Sequence, residues 1–122
     1  MVDISIIWIL MIIIYAIYLA IWSNYTTINI YGADMSFHKD IDVDQENNEL
    51  IIRFKHFNSE DTIERLMKNP EKIIPSTMYS ETRGMSIVFH AHELCDIYAK
   101  KQNIRIVNCS SYSMIDAYDR SK

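Results

Sequence analysis

Ile4–Trp22, ISIIWILMIIIYAIYLAIW, decides the first reading of this chain. These nineteen residues carry no charge, and their only polar groups are one Ser and the rings of two Tyr and two Trp. As a helix rising about 1.5 Å per residue, the stretch is roughly 28 Å long, close to the thickness of a bilayer's hydrocarbon core. The rest of the chain is too short to surround an all-apolar helix of that length, which argues against a helix buried in a domain. A cleaved signal peptide also fits poorly. There is no positively charged leader, and cleavage after Ser23 or Ala20 would leave Ile21 or Tyr18 at the −3 position. The reading is an uncleaved, single-pass signal anchor over 4–22. Ile4, Trp8, Tyr15, Tyr18 and Trp22 are its span residues, and the four rings suit the membrane–water interface.

Four segments follow: an N-terminal tail 1–3, a transmembrane helix 4–22, a membrane-proximal segment 23–34, and one small α+β domain 35–122. The first basic residue after the span is Lys39, so the rule that keeps Lys and Arg in the cytoplasm has little to act on. The reading places the domain on the non-cytosolic side. There, Cys95 and Cys109 form a candidate disulfide closing a loop of about 14 residues, worth roughly 3 kcal/mol in the chain-entropy account.

Charge narrows the partners. The chain has 12 Lys and Arg against 16 Asp and Glu; without Asp3 the balance is 12 against 15, a net of −3. A mildly acidic surface excludes nucleic acid as the main partner, because that binding needs concentrated positive charge. With two glycines in the whole chain, neither GxGxxG nor GxxxxGK[ST] occurs. The partners expected are the bilayer, through 4–22, and a protein.

Within the domain, Thr26–Tyr31 reads as a short strand ended by Gly32. Residues 35–57 read as a β-hairpin, with Met35, Phe37, Ile41, Val43, Leu50, Ile52 and Phe54 on its inner face. Ser59 followed by Glu60 and Asp61 reads as the start of a helix carrying Ile63, Leu66 and Met67 and ending before Pro70. Lys72–Ile74 is a short strand. Ile87, Val88, Ala91, Leu94, Cys95 and Tyr98 recur at helical spacing and predict a helix over 85–102. Ile104–Val107 is a buried strand, and Ser111 or Ser113 caps a last helical turn through Tyr118.

Three groups invite chemistry. Asp40, Asp42, Asp44 and Glu46 begin like a calcium loop, but Gln45 stands where Gly is required and Ile51 where Glu is required. Strand alternation explains the acids better. His90, His92, Glu93 and Asp96 lie on the long helix, where His90 and His92 are roughly 160–200° apart and cannot share an ion. Cys95 falls in the apolar stripe, a poor place for a reactive thiolate. No catalytic, cofactor or metal residue is assigned, and the chain is read as a non-enzyme.

Ser80-Glu-Thr-Arg-Gly84, the long helix and Ile104–Val107 together resemble the helix–strand unit of anti-sigma-antagonist (STAS) domains over about thirty residues. The Asp-Ser strand end of that family is missing. The leading expectation is a membrane-anchored interaction or structural module, within a larger membrane or virion assembly. The STAS resemblance implies the alternative, a cytoplasm-facing regulatory module. A small membrane-bound enzyme using His90, His92 or Glu93 is the third.

Overall fold

The computed structural model describes residues 5–55 and 60–121, with side chains from Leu10 onward. Helix α1 (Ser5–Trp22) leads into strand β1 (Thr27–Ile30). A 3-10 turn at Phe37–Asp40 then precedes β2 (Ile41–Asp44) and β3 (Glu49–Phe54). Next come β4 (Thr62–Arg65), β5 (Met67–Asn69) and β6 (Ile74–Pro75). Helix α2 (Met78–Lys101), β7 (Arg105–Asn108) and β8 (Asp119–Arg120) complete the order.

The main layer is a small parallel sheet, ordered β1-β7-β8, with Thr27 opposite Arg105 and Ile30 opposite Asn108. Parallel neighbours need a long crossover; here everything between β1 and β7 supplies it, α2 included. Ile14, Ile17 and Ile21 of α1 recur at i, i+3 and i+7. They pack with Val88, Cys95 and Ala99 of α2, with Ile30 of β1, and with Ile104 and Ile106 at and within β7. Ile21 is fully buried. Burying one such side chain is worth about 1.5–3 kcal/mol.

This packing corrects the membrane reading. Among the described residues no helix is long and apolar enough to cross a membrane. The single-pass anchor is therefore not supported, and the non-cytosolic placement built on it falls as well. The helix at 5–22 is real, but the premise that it must be surrounded was wrong: it buries one stripe in the domain core. Tyr15, Tyr18 and Trp22 lie on its exposed side. Ile4 and the side chain of Trp8 lie outside the described residues.

The expected hairpin forms. β2 pairs antiparallel with β3, Ile41 opposite Ile52 and Val43 opposite Leu50. Leu50, Ile52 and Leu66 make a second core with Phe37, Ile41, Val43 and Phe54. The four-residue loop closes through Asn48 N–H to the Asp44 carbonyl, 2.8 Å, with Asn48 at φ 58°. That left-handed conformation suits Asn better than most residues. Residues 37–40 turn instead of extending the strand.

Two expected helices are absent. Residues 62–65 pair with β3, Ile63 opposite Arg53 and Arg65 opposite Ile51, and 67–69 pair with β6. The open edge of β3 offers Thr62 and Ile63, both β-branched, a ladder of bonds that a short helix cut off by Pro70 cannot match. Ser59 lies outside the described residues. The strand expected at 72–74 shifts to Ile74–Pro75. In the tail, Met114 N–H donates to the Asp34 carbonyl at 2.8 Å, and the Ser113 hydroxyl donates to the Ala33 carbonyl at 2.5 Å. These long-range bonds replace a helical turn, and Ile115 and Tyr118 enter the main core.

The candidate disulfide is also corrected. Cys95 and Cys109 are both free thiols. Cys95 faces inward from the middle of α2, whereas Cys109 follows the end of β7, its N–H donating to the Ile30 carbonyl at 2.7 Å. The two are not near each other.

If α1 is part of this core, Ile21→Ala destabilises the fold by about 2–5 kcal/mol. Tyr79→Ala, at a position 71% exposed and away from this core, changes stability by under about 0.5 kcal/mol. Urea unfolding of both variants without detergent checks this.

Candidate functional site

Helix α2 begins at a reciprocal cap. The Ser80 N–H donates to Thr77 Oγ1 at 3.1 Å, and the Thr77 N–H donates to Ser80 Oγ at 2.9 Å. It ends where Asn103 takes φ 58° and the Ile104 N–H returns to the Ala99 carbonyl at 2.9 Å. Between these ends two stripes run along the helix. Val88, His92, Cys95 and Ala99 are buried. Ile87, Leu94, Ile97 and Tyr98 are exposed. The apolar stripe read from sequence straddled both.

The exposed stripe of α2 adjoins that of α1, where Ile12, Tyr15, Tyr18, Leu19 and Trp22 reach solvent, Tyr15 at 65% and Trp22 at 71%. Tyr18 stacks on Tyr98, ring centroids 5.9 Å apart and planes at 19°. Between the helices lies an open groove of about 660 Å³, lined by Met11, Ile12, Ile14, Tyr15, Tyr18, Ala91, Leu94 and Cys95. Among the described residues, no charged one lines it. Large side chains left in water on two neighbouring elements constitute an apolar patch of the kind that marks an interaction surface.

Beside the groove the core holds a polar cluster. His92 is fully buried, and its Nδ1 lies 2.8 Å from the Tyr118 hydroxyl, the rings meeting edge to face at 5.5 Å. His92 Nε2 makes no hydrogen bond among the described residues. Leaving such a nitrogen buried costs about 1–3 kcal/mol. Burial pushes the His92 pKa down to about 4, so the ring is neutral at pH 7. Burial also raises the Cys95 thiol, opposed by its hydrogen bond with Tyr118. The Tyr118 phenol is raised in turn, mainly by burial. All three groups are held in their neutral forms, so Cys95 is a thiol and not a thiolate.

The other residues singled out from sequence are dispersed. His90 is exposed and bonds Glu93 at 2.9 Å, while Asp96 pairs with Lys100 at 2.7 Å. The acids read as a wet strand face pair across the hairpin: Asp42 with Arg53 at 3.3 Å and Asp40 with Lys55 at 3.9 Å. Among the described residues no cluster of three or more His, Cys, Asp or Glu is placed to hold a metal. Cys109 sits beside Tyr31, whose phenol pKa is raised first by its hydrogen bond with that thiol. Ser80–Gly84, the start of the STAS-like unit, forms the first turns of α2, and the strand before it, β6, pairs with β5 in a separate sheet.

Sequence reasoning missed the buried role of His92. The signal was present: Val88, His92, Cys95 and Ala99 fall at i, i+4, i+7 and i+11, an equally regular stripe with one polar member. No family model matches the chain, and comparison with curated proteins and with solved structures found no match.

His92 gives a pH dependence. Its folded pKa lies below the unfolded value of 6.5, so the unfolded chain binds the extra proton and stability rises with pH. The contribution is full above about pH 6.5 and is lost as pH falls toward 4, a difference of about 3 kcal/mol. Urea unfolding of the protein and of His92→Phe at pH 7 and pH 4.5 should show a smaller loss on acidification in the variant.

Proposed function

We propose that this domain is a regulatory protein-interaction module that works by docking a protein through the face formed by α1 and α2. The observation that carries the reading is the exposed, charge-free stripe of α1 continuing onto Leu94, Ile97 and Tyr98 of α2. Tyr and Trp in such positions are the usual anchors of protein interfaces, because they bring large area with few rotatable bonds. The neutral, covered state of His92, Cys95 and Tyr118 supports a binding role over a catalytic one. The acidic balance of the chain favours protein over nucleic acid.

A photo-crosslinking residue at position 15 or 94, introduced in the cells that make the protein, tests the face. Discrete protein adducts are expected from both positions and none from position 53 on the hairpin. Equal labelling from all three positions, or none from 15 and 94, would sink the reading.

A further inference from the structure

We infer that the occupant of this face is a second copy of the chain, packed about a twofold axis that crosses α2 between Leu94 and Ile97. The inference rests on the docking face proposed above and names its partner.

Area is the first argument. Tyr15, Tyr18, Trp22 and Tyr98 are exposed by 65, 48, 71 and 38%. At about 150–250 Å² per ring, these four leave roughly 450 Å² of aromatic surface in water. Ile12, Leu94 and Ile97, each half or more exposed, extend it. The total approaches the roughly 800 Å² per partner of a standard interface, and exceeds what a stable monomer ordinarily leaves in one patch.

Charge is the second. A twofold contact presents the same patch to itself, so its charges must be arranged to avoid meeting their own kind. α1 meets that condition by carrying none from Leu10 to Trp22. On α2, His90, Leu94, Ile97 and Lys101 recur at i, i+4, i+7 and i+11, one stripe with the His90–Glu93 pair at one end and Lys101 at the other. Two such helices running antiparallel set Leu94 against Ile97 of the second copy. The same register brings the His90–Glu93 pair against the second copy's Lys101. The contact is thus apolar at its centre and oppositely charged at both ends. In a parallel arrangement Lys101 would meet Lys101.

Sedimentation equilibrium of the full chain, with Leu94→Lys, Glu93→Lys, Lys101→Glu and the double reversal Glu93→Lys with Lys101→Glu, tests this. At about 50 µM the chain is expected to be a dimer and Leu94→Lys a monomer. Each single reversal should weaken association roughly three- to tenfold, and the double reversal should recover most of the loss. Circular dichroism and urea unfolding confirm that each variant is folded; all three positions are solvent-exposed.

A monomeric chain overturns the inference, as does a dimer indifferent to Leu94→Lys or a double reversal weaker than either single one. If the chain is monomeric and position 15 or 94 still crosslinks a different protein, the docking face stands and only its occupant was wrong. If it is monomeric and nothing crosslinks, both fall.

Discussion

Ile14, Ile17 and Ile21 packing on Val88, Cys95 and Ala99 is the contact on which the rest depends. α1 carries no charge to hold it elsewhere in the fold, so its attachment rests on apolar burial. That burial occupies only one side of the helix. The stripe facing α2 and the sheet closes the core, and the stripe turned away is left with Tyr15 and Trp22 in water. Core and candidate docking face are thus two sides of one helix.

The position of α1 organises the sheet. The chain leaves it through Asn24, at φ 59°, and enters β1 three residues later, at Thr27. β7 then lies parallel to β1, its first N–H bonding the Thr26 carbonyl at 3.0 Å. The tail crosses the C-terminal ends of both strands before β8 pairs on the far side of β7: the Ser110 hydroxyl accepts the Ala33 N–H at 3.0 Å, and buried Asn108 donates to the Ile115 carbonyl at 3.4 Å. This last bond fixes the segment that delivers Tyr118 to His92. The hairpin sheet keeps a separate core around Leu50, Ile52 and Leu66. It sits in the crossover between β1 and α2 and contributes no residue to the groove.

The elements most legible in the sequence are those whose pattern has contrast. Ile41 and Val43 alternate with Asp40, Asp42 and Asp44, Leu50 and Ile52 lie between Glu49 and Arg53, and the hairpin pairs Ile41 with Ile52 and Val43 with Leu50. Ile104, Ile106 and Val107 around a single Arg read as a short strand, and the strand forms one residue on, at Arg105–Asn108. α1 had the strongest signal and the least contrast: with every position apolar, periodicity cannot say which side is buried, and length alone suggested a bilayer. Residues 62–69 failed for another reason, since Ile63, Leu66 and Met67 fit helical spacing while the deciding partner, the free edge of β3, is not local. The tail failed likewise, because Ser113 bonds a residue eighty positions away. Within the candidate site, Tyr15, Tyr18 and Trp22 read from sequence as rings at a membrane–water interface, and in the structure they are exposed on α1. His92 was misplaced because a polar residue was not admitted to an apolar stripe.

Amide hydrogen exchange of the full chain in detergent-free buffer tests the central claim most directly, because it reads α1 against the rest of the domain without altering a residue. If α1 is part of the core, the amides of Ile14–Ile21 exchange only when the whole domain unfolds, at the same rate as those of Val88–Ala99. Exchange of the α1 amides within seconds, while α2 stays protected, would contradict the account and detach the groove from the fold.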